Sequence, residues 1–105
     1  MALFIVAYRI HYNTEERYSR CYNELTDAIR AEGGPKHWAE PTSMFLIQSS
    51  KSSADLATSI WAAAPSFDDD EDMLVVINIS TTRGHATKGK LQDRDFVTLM
   101  ALRTS

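Results

Sequence analysis

Tyr8, Arg9, His11 and Tyr12 stand within five residues of one another, between an apolar run and the start of a helical pattern. An imidazole beside a guanidinium can bind or polarise a phosphate, and histidine moves protons near neutral pH. The end of a strand is also where sites form in open α/β sheets. The plainer alternative packs Tyr8 into the core and leaves the other three on the sheet rim. The remaining histidines, His37 and His85, share no ligand spacing with His11, so surface or rim roles are expected for all three.

Two charged stretches come next. Asp68-Asp69-Asp70-Glu71-Asp72 offers closely spaced carboxylates that suit Mg²⁺ or Ca²⁺. It lacks the glycine and terminal glutamate of an EF-hand loop, so a solvated acidic loop anchored by Phe67 is the expectation. Arg83, His85, Lys88 and Lys90 lie in a polar, glycine-containing stretch that could contact phosphates or be an ordinary mobile loop. The sequence has no P-loop, dinucleotide-binding glycine fingerprint, HExxH or GxSxG. No cofactor and no metal site is expected.

The net charge is −3, which disfavours a surface that grips nucleic acid all round. The 14 acids less the five in the run leave 9 against 11 bases, so a local basic patch remains open. Cys21 is the single cysteine, which excludes an intrachain disulfide and a thiolate metal cluster. It falls on an apolar stripe and reads as a buried packing residue. The apolar run Ala2 to Ala7 is too short for a membrane span, and no basic segment precedes it. A cytoplasmic protein without membrane contact is expected.

The elements that must position these residues follow from periodicity. Leu3 to Ile10 is apolar on both alternating faces, as in a central strand. From Glu15 to Glu32, Tyr18, Cys21, Tyr22, Leu25 and Ile29 recur at steps of three and four, with Arg17, Arg20 and Asp27 among the polar positions between them. Asn13 or Thr14 can cap this helix, and Gly33-Gly34-Pro35 stops it. Lys36 to Glu40 and Thr42 to Ser49 read as two strands meeting at Pro41, the first weak and edge-like. Ser52 or Ser53 caps a second helix over Ala54 to Ala64, and Met73 to Ile79 is a further strand. In Leu91 to Leu102 the spacing of Phe96, Leu99 and Met100 favours a helix, although Phe-Val-Thr-Leu-Met also suits a strand.

One domain of 105 residues is expected, of α+β class: a ferredoxin-like βαββαβ sandwich over residues 2–80, with two helices on one face of an antiparallel sheet. Residues 81–105 form a C-terminal extension. The other face of the sheet needs a cover, either a second copy packing sheet on sheet or this extension.

The N-terminal strand Leu3-Phe-Ile-Val-Ala-Tyr, the helix stop at Gly33-Gly34 and the aromatic His37-Trp38 resemble a known group over residues 2–80. So do Ser43-Met-Phe-Leu-Ile, the serine-started helix, and the acidic stretch leading into Met73-Leu-Val-Val-Ile. The group is the short ferredoxin-like proteins around the small subunit of the CRISPR spacer-integration complex, with the virulence-associated protein D and small SinR-like proteins. The resemblance implies a homodimer with facing sheets, a tail that adds to the partner's sheet, and contact with RNA or DNA. Members that act as nucleases carry an aspartate at the end of the first strand to hold a divalent metal. Here that place holds Tyr8-Arg9-Ile10, and a guanidinium repels Mg²⁺. The expected function is therefore nucleic-acid binding or scaffolding without metal-dependent nuclease activity, using Arg9, Arg83, His85, Lys88 and Lys90. One alternative is a metal-independent endoribonuclease with His11 as its catalytic residue, aided by Arg9 or Tyr8. The other is a regulatory module that binds a protein or a small ligand.

Overall fold

The two-sided apolar run at the N-terminus forms β1 (Ala2–Arg9), the middle strand of a five-stranded antiparallel sheet in the order β2-β3-β1-β4-β5. The other strands are β2 (His37–Trp38), β3 (Met44–Ser49), β4 (Met73–Asn78) and β5 (His85–Gly89). Three helices accompany them: α1 (Glu15–Gly33), α2 (Ser53–Ala62) and α3 (Asp95–Ala101). This computed structural model describes residues 2–34, 37–39, 43–80, 84–91 and 95–102. The α+β arrangement is compatible with a ferredoxin-like fold, and no helix among the described residues is long and apolar enough to cross a membrane.

Local chemistry sets the helix ends. Thr14, in extended geometry, accepts the Arg17 amide at 3.2 Å, and Glu15 and Glu16 favour the positive first turn of α1. Gly34 closes it at φ 69°, returning its amide to the Arg30 carbonyl at 2.9 Å. Ser52 caps α2 by accepting the Asp55 amide at 3.1 Å.

One side of the sheet carries the core. Phe4, Val6 and Tyr8 of β1, Phe45 and Ile47 of β3, and Leu74 and Val76 of β4 form one buried cluster with the helices. Cys21, Leu25 and Ile29 of α1 and Leu56, Ala57 and Ile60 of α2 complete it. Each large apolar side chain buried this way contributes roughly 1.5–3 kcal/mol relative to exposure. Gly33 lets α1 approach β3 closely, since a Cβ there would lie 2.7 Å from Ile47 Cγ2.

The opposite face alternates out of phase. Ile5 lies across from both Leu46 and Ile77, and Ala7 across from Met44 and Val75. Trp38, opposite Leu46, is 43% exposed at the edge. Among the described helices only α3 reaches toward this face, through an edge contact of Phe96 with His85 at 5.6 Å between ring centres. None of the α3 residues is buried, and Val97 and Leu99 stay exposed.

Three expectations need correction. The polar stretch leading to Lys90 is not a loop throughout, because His85–Gly89 pairs with β4 as β5; residues 81–83, including Arg83, lie outside the described residues. Its short β-branched and small side chains suffice once β4 offers an open edge. Of the first of the two middle strands, expected over Lys36 to Glu40, the described residues show His37–Trp38 as strand and Ala39 outside it, with Lys36 and Glu40 to Thr42 outside the described residues. The acidic run is not simply a solvated loop, since its last residue, Asp72, is fully buried. Phe67 does anchor the run as expected, with 9% exposure.

Candidate functional site

Buried Asp72 organises the corner where β1 ends, α1 begins and β4 starts. Its Oδ1 accepts the His11 amide at 2.7 Å and Arg17 Nη2 at 3.3 Å. Its Oδ2 accepts Arg17 Nη1 at 2.6 Å, the Asp68 amide at 2.9 Å and the Cys21 thiol at 3.7 Å. Burial, the largest single influence, would raise the Asp72 pKa. The hydrogen bonds from Arg17 and from the Asp68 and His11 amides together outweigh it, and the net shift is downward. Arg17 is held above its ordinary value, chiefly by its hydrogen bond to Asp72.

Arg17 spends its remaining donors on the same corner. Nε donates to Asn13 Oδ1 at 3.2 Å, Nη1 to the Ser66 carbonyl at 3.2 Å, and Nη2 to the His11 carbonyl. Thus the His11 backbone is clamped on both sides, its amide by Asp72 and its carbonyl by Arg17. The ring projects outward, about half exposed, with Nδ1 3.7 Å from Glu71 Oε2. The other acids also have tasks: Asp69 accepts the Trp61 indole at 2.7 Å, and Asp68 accepts the Asp70 amide at 2.9 Å.

The remaining predicted residues divide between places. Tyr8 is in the core beside Tyr22 and Phe45, and its hydroxyl is pushed up to about 12, chiefly by burial and then by Tyr22. It is a packing residue of the core. Arg9 points to the opposite face, where Nη2 donates to the Lys90 carbonyl at 2.8 Å and the Glu71 carbonyl at 3.4 Å. Lys90 is exposed at that corner. Lys88 faces the helices instead, with its ammonium 5.0 Å from the Trp61 ring centre. His85 is at the far end of β5, so the histidine and lysines of this stretch do not form one patch.

Cys21 is fully buried, and its thiol is pushed up to about 12 by burial first and by the Asp72 charge second. That makes it a packing residue rather than a nucleophile. Among the described residues no group of three or more His, Cys, Asp or Glu side chains is placed to hold a metal ion. The corner can position one imidazole against one carboxylate and present Arg9 and Lys90 beside it. Arg17 and Asp72 were missed as site-forming residues, although each is in phase with a buried stripe. Asp72 precedes Leu74 and Val76 by steps of two, and Arg17 precedes Cys21 and Leu25 by steps of four.

Compared with protein-family models, curated proteins and solved structures, the chain matches none.

Proposed function

We propose that the chain is a ferredoxin-like homodimer, closed through the face of its sheet opposite α1 and α2, that binds nucleic acid in a scaffolding role. The observation that carries this reading is the apolar row Ile5, Ala7, Met44, Leu46 and Ile77, each left partly exposed on the sheet face opposite α1 and α2, around the already buried Val75. Water against such a row is unfavourable, and a twofold copy presents a matching surface. The β2-β3-β1-β4 order, with α1 and α2 in one core, supports the ferredoxin-like arrangement. Arg9 supports phosphate contact, because the hydrogen bonds of its guanidinium go to carbonyls and a thioether and leave its charge for an anion.

Light scattering should give twice the chain mass at micromolar concentration, and Leu46→Asp should give the monomer by placing a charge in the seam. A parent that stays monomeric overturns the dimer. Labelled RNA and duplex DNA, titrated in EDTA across a salt series, should bind with affinity that falls steeply as salt rises. Absence of binding at low salt removes the nucleic-acid role.

The His11–Glu71 pair favours a second reading, metal-independent RNA cleavage. With Glu71 Oε2 3.7 Å from Nδ1, the half-exposed imidazole would take the proton of a ribose 2′-hydroxyl, whose oxygen attacks phosphorus as the P–O5′ bond breaks and the 5′-oxygen leaves with a proton from water. RNA incubated in EDTA should then yield 2′,3′-cyclic phosphate ends, with His11→Ala slowing the reaction about 10²–10⁴-fold. Equal cleavage by parent and variant sinks this reading.

A further inference from the structure

A cleft of about 640 Å³ opens at the end of the sheet remote from His11, between the start of α2 and the neighbouring ends of β1, β3, β4 and β5. Its size is that of a small-molecule site. The in-phase positions that carry Phe4 and Ile47 nearer the core carry Ala2, Ser49 and Asn78 here, so a small side chain and two polar ones line the wall.

Donors converge on the cleft. The amides of Ser53 and Ala54, first in α2, have no acceptor within the helix, whereas Ser52 Oγ takes the amide of Asp55. Ser53 lines the cleft at 8% exposure, and its hydroxyl has no hydrogen-bond partner among the described residues. A hydroxyl that lines a cleft with no protein partner is free to donate to a molecule bound there. Ser49 Oγ accepts the Lys51 amide at 3.1 Å and keeps its proton to donate. The Lys51 ammonium is turned away to Glu32 at 2.7 Å and Ser59 at 3.2 Å, so it does not fill the space as an internal ion. Gly84 and His85 line the cleft from the β5 side.

We infer that this cleft binds the phosphate group of a small molecule, with the Ser53 and Ala54 amides and the Ser53 hydroxyl donating to its oxygens. A tetrahedral anion matches several convergent donors at a helix start. The space beyond accommodates a carbon skeleton attached to the phosphate.

The test is an amide NMR titration of the full chain at constant ionic strength with inorganic phosphate, adenosine monophosphate and adenosine. The Ser53 and Ala54 signals should shift saturably with the first two and stay still with adenosine. Tighter binding of the monophosphate identifies an organic phosphate as the ligand class, and equal binding identifies free phosphate. Ser53→Ala should bind about tenfold more weakly, the factor for one hydrogen bond to a charged group. Its Tm should be unchanged or higher, because the removed hydroxyl has no partner to lose. Shifts that fail to saturate by about 10 mM phosphate, where a millimolar site would be filled, overturn the inference. So does undiminished binding by Ser53→Ala.

Discussion

Replacing Asp72 with Asn is expected to lower the unfolding free energy by about 3–5 kcal/mol, the usual cost of breaking a buried ion pair from one side. Urea or thermal unfolding would read it against a total of roughly 5–15 kcal/mol for a domain of this size. The Asp72 side chain has no exposure, and it satisfies Arg17, two backbone amides and the Cys21 thiol. An amide of the same shape presents an NH₂ group where an acceptor is required, so at least one donor is stranded. The pH response has a defined sign. The folded pKa of Asp72 lies below its unfolded value, so its stabilisation is complete above about pH 4 and is lost as pH falls through the folded value. The parent should therefore lose stability in acid more steeply than Asp72→Asn. Parallel curves, or an unchanged midpoint in urea, would show that the corner is not held by this carboxylate. Removing Arg17 as well should cost less than the sum of the two single changes, because the partners are coupled.

Gly89→Ala is expected to cost about 2–5 kcal/mol, combining a left-handed backbone with overpacking. Gly89 has φ 84°, and a Cβ there would lie 2.0 Å from the Asp72 carbonyl oxygen and 2.9 Å from Phe67 Cζ. The nearer neighbour is backbone, held by the Lys90 amide at 2.7 Å, so no rotamer change relieves the contact. Gly34→Ala is the control. It has φ 69° with nothing near the added carbon, so it carries only the conformational cost of about 1–2 kcal/mol. Similar Tm losses for the two variants would show that the contact with Asp72 is relaxed at little cost.

The regular elements were readable where one physical signal dominated. Two-sided apolarity marked β1, steps of three and four marked α1, and serine before an alanine-rich run marked α2. β5 was not readable, because His-Ala-Thr-Lys-Gly alternates weakly and becomes a strand through the β4 edge rather than through its own pattern. The His11 corner was half legible. His11 and Arg9 stood out as chemical residues beside a strand end, but their partners come from a stretch about sixty residues away that reads as solvated by composition. An acid in phase with the buried side of a following strand was the overlooked signal. Such phase carries more information than the charge count of the run around it. The Ser53 cleft had no signature beyond a helix cap, since its character depends on Ser49, Asn78 and His85 meeting at one end of the sheet.

The central place of β1 also bears on how the chain acquires its shape. β1 precedes the other described elements in the chain, yet Phe4 pairs with Ile47 on one side and Asn78 on the other. Its ladder waits for β3 and then for β4, so the contacts that define the sheet are distant in sequence, and assembly is slower than for helices of similar length. Until β4 emerges, a strand apolar on both faces has an open edge, the condition under which chains pair with the wrong neighbour. The next element produced is α1, whose Cys21, Leu25 and Ile29 cover the Phe4–Tyr8 side. The order of synthesis thus gives the most exposed strand its first shelter from the helix directly behind it, while the Ile5–Ala7 side is left for whatever arrives last.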